Sequence, residues 1–131
     1  MDIIAAYKTD TAAELTGRYF PFGKDAQLLV ARSGNPAYVA ELTAKLDENK
    51  VALDAGGPRA EELANEIFAD VMSKSILLGW TGITRNGTSV SYSQAQAKEY
   101  LKLKEFRAKV SAIADNFENF LVKEEAAQGN G

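Results

Sequence analysis

Residues 76–93 read ILLGWTGITRNGTSVSYS and carry several structural instructions in close succession. An apolar run, read as the end of a helix, stops at Gly79, and the chain's one tryptophan follows at Trp80. Gly82 to Tyr92 then reads as a short ribbon that turns at Asn86-Gly87. That dipeptide tolerates positive φ at low cost, which tight hairpins require. On the return, Val90 and Tyr92 share one face of the ribbon and Ser89 and Ser91 the other. Ser93, with Gln96 three residues on, forms a capping box that opens a new helix. The expected geometry is helix, hairpin, helix. Trp80 reads as a core plug at a helix end rather than as a ligand-stacking platform.

Working upstream, a helix is expected over 58–78. Leu63, Ile67, Val71 and Met72 form one face of it, with Ala60, Ala64 and Phe68 beside them. Gly56-Gly57-Pro58 is the clearest break in the chain and places Pro in that helix's first turn. A second helix is expected over 36–54, because Asn35 can cap, Pro36 suits the first turn, and Val39, Leu42 and Leu46 follow at helical spacing. Residues 18–32 read as an N-terminal β-hairpin with turn residues Gly23-Lys24-Asp25. Pro21 cannot donate to a ladder, so the first strand belongs at a sheet edge. Residues 1–17 are ambiguous: Thr11 and Glu14 could form a capping box for a short helix that Gly17 would end.

Downstream, the last helix is expected over 94–124, with a bend near Lys102. Leu103, Phe106, Val110, Ile113, Phe117 and Phe120 recur at 3-4-3-4-3 spacing, a heptad seam. Such a seam is either the core face of a helix packed on its own domain or a surface that meets a second subunit or partner. Tyr19, Phe20 and Phe22 carry the same two readings, hairpin core or exposed binding edge. These eight aromatic and aliphatic positions from Phe106 onward and in the first strand are the candidate partner-binding or self-association residues. The fold class is mainly α with small β elements (α+β), one domain over 1–125, with 126–131, AAQGNG, as a flexible tail.

Composition narrows the chemistry. With 131 residues the chain suits one core, and its 46% hydrophobic and 25% charged residues are those of an ordinary globular domain. It contains no cysteine and no histidine. Disulfides, thiol nucleophiles, zinc sites and histidine-based triads are therefore excluded. A net charge of −3 gives no global attraction to nucleic acid or anionic lipid. Lys98, Lys102, Lys104, Arg107 and Lys109 make the last helix locally basic, but Glu99 and Glu105 intersperse them as in a solvated, salt-bridged face. Glu62, Glu66 and Asp70 lie four apart on one helix and read as a solvated stripe rather than a cation site, since no turn supplies a ligand. GWTG and AGGP match neither the P-loop nor the dinucleotide pattern. No run is long enough to span a membrane, and MDIIAAYKTD lacks the basic and apolar regions of a secretory signal. A soluble, non-enzymatic binding or assembly protein, with no cofactor and no metal, is the expectation.

ILLGWTGITRNGTSVSYSQAQAKEYL, residues 76–101, resembles the tail assembly chaperones of long-tailed, non-contractile (siphovirus-type) bacteriophages. The matching residues are Gly79, Trp80, Gly82, Ile83, Asn86, Gly87, Val90, Tyr92 and Ser93. Downstream, Leu101, Phe106, Val110, Ala114 and Phe117 fit that family's final helix, and FPFGKDAQLLVARSGNPAY, residues 20–38, is similar to its opening strands. The resemblance spans residues 18–121. It implies a host-cytoplasmic late protein that binds the tape measure protein, helps recruit tail tube subunits and is not retained in the virion. The seam and the aromatic N-terminal edge are the candidate surfaces for that binding and for an expected weak self-association. The resemblance also implies that a longer, frameshifted form can exist, marked in the gene by a slippery heptanucleotide. The alternative is a structural virion component, a tail completion or tube protein; a small enzyme using carboxylates is a second rival, though no convergent acid pair stands out in the sequence.

Overall fold

The computed structural model describes residues 1–123, so the tail expected at 126–131 and the end of the expected last helix lie outside the described residues. The order is α1 (Ile3–Tyr7), α2 (Thr11–Thr16), β1 (Arg18–Phe22), β2 (Ala26–Val30), α3 (Pro36–Glu48), α4 (Lys50–Asp54), α5 (Gly57–Ser75) and β3 (Leu77–Thr81). A two-residue ribbon, β4 (Thr84–Arg85) and β5 (Thr88–Ser89), precedes α6 (Gln94–Leu101), α7 (Lys104–Asp115) and a 3-10 turn at Phe117–Phe120. The fold is mostly helical with an antiparallel three-stranded sheet, β1-β2-β3, and a separate short hairpin.

Local signals are obeyed closely. Asn35 Oδ1 accepts from the Tyr38 N–H at 3.0 Å, capping α3 with Pro36 in its first turn. The same buried side chain donates to the Arg32 and Ser75 carbonyls, at 2.8 and 3.0 Å, so one residue serves the start of α3 and the end of α5. Asn86 (φ 52) and Gly87 (φ 78) make the tight turn between Arg85 and Thr88, a type I′ signature. Ser93 caps α6 by accepting from the Gln96 N–H. β1 is an edge strand, as Pro21 requires. The short N-terminal helix does run to Thr16 and end at Gly17, but its cap is Asp10, not Thr11, with the Asp10 carboxylate accepting from the Ala13 N–H.

The helix expected over 36–54 is interrupted at Asn49, whose non-helical backbone and side-chain bond to Lys45 O divide it into α3 and α4. The other two expected helices are shorter than their apolar patterns. The helix expected over 58–78 ends at Ser75, and Leu77–Thr81 is a strand paired with β2. An apolar run of this length serves a helix or a buried strand equally well. Here β2 offers an unpaired edge: Leu28 faces Trp80, Leu29 faces Gly79 and Val30 faces Leu77, with Leu78 the extra residue of a bulge. Trp80 therefore sits on a strand, not at a helix end. Its indole N–H donates to the Val90 carbonyl at 2.8 Å, and the Tyr92 hydroxyl donates to Leu77 O, also at 2.8 Å. These two bonds tie the segment after the ribbon to β3.

The helix expected over 94–124 is three pieces. It breaks at Lys102-Leu103, near the expected bend, where Leu103 has extended backbone. The carbonyls freed by the break find donors: Arg107 Nη1 reaches Leu101 O at 2.9 Å, and Asn65 Nδ2 reaches Lys102 O at 3.4 Å. A second break follows Asp115, where Asn116 leaves the helix and Asn119 Nδ2 donates to Ile113 O. The core lies where the sheet meets α5, α6 and α7, around Leu28, Val30, Met72, Ile76, Leu77, Leu101 and Val110.

Candidate functional site

The two surfaces suggested as docking faces cover each other. Phe20 of β1 meets Phe120 edge-on at 5.9 Å between centroids, and Phe22 meets Phe106 at 5.5 Å. Val110 and Phe120 have no exposed surface. Phe20, Phe22, Phe106 and Ile113 are half-buried against the core, and the half-buried Phe117 ring stacks on Tyr7. Reading this seam as an open interface is therefore corrected: it is mainly the core face of α7, closed by the N-terminal hairpin. The breaks at Leu103 and Asn116 also prevent a continuous coiled-coil stripe. Of the eight candidates only Tyr19 stays largely in solvent, at 52% exposure.

What remains open is a groove next to the break. Trp80, Ile83, Tyr100, Leu103 and Phe106 line a concavity of about 340 Å³, with Arg85 at its rim. Its floor is an aromatic chain: Trp80 packs on Tyr92 and Tyr100, and Tyr100 meets Phe106 edge-on. Leu103 is 60% exposed because the helix break turns it outward. Arg85 has no ion pair among the described residues. The lining is apolar with one cation, which suits aliphatic or aromatic side chains accompanied by a carboxylate. Sequence reasoning passed over Leu103 as a groove residue because its spacing placed it in the seam.

A second unpartnered apolar element lies at the N-terminus. α1 buries none of its residues, and Ile3, Ile4 and Tyr7 share one helical side with 64%, 79% and 56% exposure. Its C-terminal end is anchored by the Tyr7–Phe117 stack and by the Thr9–Leu121 bridge that follows.

Two of the three acids of the α5 stripe, Glu66 and Asp70, are paired with lysines; Glu62 has no ion pair among the described residues. Asp70 faces Lys74 at 3.1 Å, Lys98 at 3.5 Å and Lys45 at 4.0 Å, and Glu66 takes Lys98 at 3.2 Å. Lys74 also reaches Glu41, so the network joins α3, α5 and α6. Partial burial pushes the Asp70 carboxyl up. The Lys74 hydrogen bond and the charges of Lys74, Lys98 and Lys45 outweigh that and hold it below its ordinary 3.8. A lowered carboxylate pKa contributes stability above the unfolded value, and that contribution is lost as pH falls through the folded one. Asp70→Asn should therefore cost about 1–2 kcal/mol near neutral pH. Urea melts at a series of pH values should show the gap between the two proteins closing below about pH 4; a gap independent of pH would contradict this assignment.

No helix among the described residues is long and apolar enough to cross a membrane. The family described as YdaY prophage protein matches residues 33–130 of the chain. No curated protein and no solved structure matches it.

Proposed function

The chain belongs to the YdaY prophage protein family, and from that premise we propose that it is a non-enzymatic tail assembly chaperone. It binds the tape measure protein in the host cytoplasm, helps recruit tail tube subunits, and leaves before the particle is complete. The observation that carries this reading is the Trp80–Ser93 unit in a protein of prophage origin. There the Trp80 and Tyr92 hydrogen bonds, the Asn86-Gly87 turn and the Ser93 cap lock the residues through which the chain resembles phage tail assembly chaperones. Solvent-facing apolar residues support the reading further: Tyr19, Val39, Leu46 and Val51 lie outside the core, and an escort for a long apolar helix needs such contacts.

Co-expression with the tape measure protein of the same prophage tests the proposal. The expected result is a soluble complex that co-purifies, with Tyr19→Asp weakening capture while circular dichroism stays unchanged. Mass spectrometry of purified particles should lack the chain. Its presence there in stoichiometric amount would favour a structural tail component instead, and an insoluble tape measure protein with no co-purification would remove the chaperone reading.

A further inference from the structure

We propose that copies of this chain associate head to tail, α1 of one copy seated in the Trp80–Phe106 groove of the next. This deepens only the self-association expected of a chaperone and does not depend on the identity of any viral partner. The two surfaces match in shape class and in charge. α1 is a short helix whose Ile3, Ile4 and Tyr7 stay mostly in solvent, with Tyr7 stacked on Phe117. The groove is concave, apolar and aromatic-floored, and Leu103 stands open on its wall. Asp2, the residue before Ile3, is in no ion pair among the described residues, and its Oδ1 accepts only the capping bond from the Ala5 N–H. Arg85 at the groove rim likewise has no ion pair among the described residues. A carboxylate leading an apolar helix meets a groove with one arginine at its edge, and charge-assisted pairing then sets the docking polarity.

The partner must be a second molecule. α1 is held at the far end of α7, where Tyr7 stacks on Phe117 and Asp10 N–H donates to Phe120 O, whereas the groove lies at the near end, around Leu103 and Phe106. The 12 residues of α7 separate them by about 18 Å at 1.5 Å per residue, so a molecule's own α1 cannot fill its own groove. Donor and acceptor surfaces on one chain make a heterologous contact, which repeats into rings or open chains instead of stopping at a dimer.

Complementation of two variants tests this. Ile4→Asp spoils the donor and Leu103→Asp the acceptor. Both positions are largely exposed, so circular dichroism and melting temperature should match the parent. In sedimentation equilibrium the parent should grow beyond dimer mass as concentration rises, and each variant alone should stay monomeric. An equimolar mixture should form a 1:1 heterodimer and nothing larger, because one intact donor and one intact acceptor remain. Asp2→Asn, which keeps the capping oxygen but removes the charge, should weaken assembly, and Arg85→Gln should weaken it by a similar amount, with little further loss when the two are combined. A parent that is monomeric throughout, a variant that still assembles, or a mixture that stays monomeric would overturn the proposal. None of these outcomes bears on tape measure binding, which the co-expression experiment reads separately.

Discussion

Phe120→Ala is expected to lower the unfolding free energy by about 3–5 kcal/mol, the cost of emptying a buried aromatic site. Phe120 has no exposed surface and packs edge-on against Phe20. Its backbone is tied in as well, since Phe120 O accepts from the Asp10 N–H, and Arg18 donates to the carbonyls of Asn119 and Leu121 on either side. Removing the ring therefore loosens the N-terminal hairpin and the end of the described chain together. For a domain of this size, thermal unfolding should shift down by more than about 10 °C. Phe117→Ala is the control: that ring is only half-buried and stacks on the exposed α1, so the loss should be at most about half as large. Equal losses at the two positions would contradict this packing. A charge at Phe120 would disrupt the fold itself, so partner binding has to be probed from exposed positions such as Tyr19.

Gly82→Ala should also be severe, by about 3 kcal/mol. Two costs combine there. Gly82 has φ +75, in the left-handed region, where a side chain costs about 1–2 kcal/mol. A Cβ would also lie 2.3 Å from Asp25 O and 3.0 Å from Ala26 Cα, which are backbone atoms of the neighbouring hairpin that cannot rotate away. Separating them means shifting the β1–β2 turn away from the exit of β3, an overpacking cost of about 1–3 kcal/mol. Gly87→Ala isolates the first cost, since its φ is +78 but nothing lies within 4 Å of the added carbon. Denaturant melts should rank Gly82→Ala well below Gly87→Ala. If the two lose the same stability, the backbone collision is not felt.

The same glycine shows how the chain divides between local and distant information. Gly82 is recognisable in the sequence as a breaker, yet the atom it must avoid belongs to Asp25, more than fifty residues earlier. The groove was legible only in pieces. Trp80, Ile83 and Phe106 stand out in the sequence, but Leu103 and Arg85 join them only because the helix break and the start of the ribbon line the same groove. The candidate aromatic edge and the candidate seam were each identified as apolar, correctly. That they would bury one another could not be read from either segment, because each pattern is the same whether its partner is internal or external.

Local sequence suffices for the caps and turns at Asn35-Pro36, Asn86-Gly87 and Ser93, for the edge position of β1, and for the exclusion of thiol and imidazole chemistry. Each depends on atoms within a few residues of one another, or on a residue type being absent. Tertiary structure alone decided that Leu77–Thr81 is a strand, that the bend expected near Lys102 is a full break followed by a second at Asn116, and which apolar residues stay in solvent. A short apolar run has no state of its own; it takes strand geometry where β2 presents unpaired N–H and C=O groups. A helix breaks where the contacts between Phe106 and Phe22, with Arg107 and Asn65 satisfying the freed carbonyls, outweigh the hydrogen bonds that are lost.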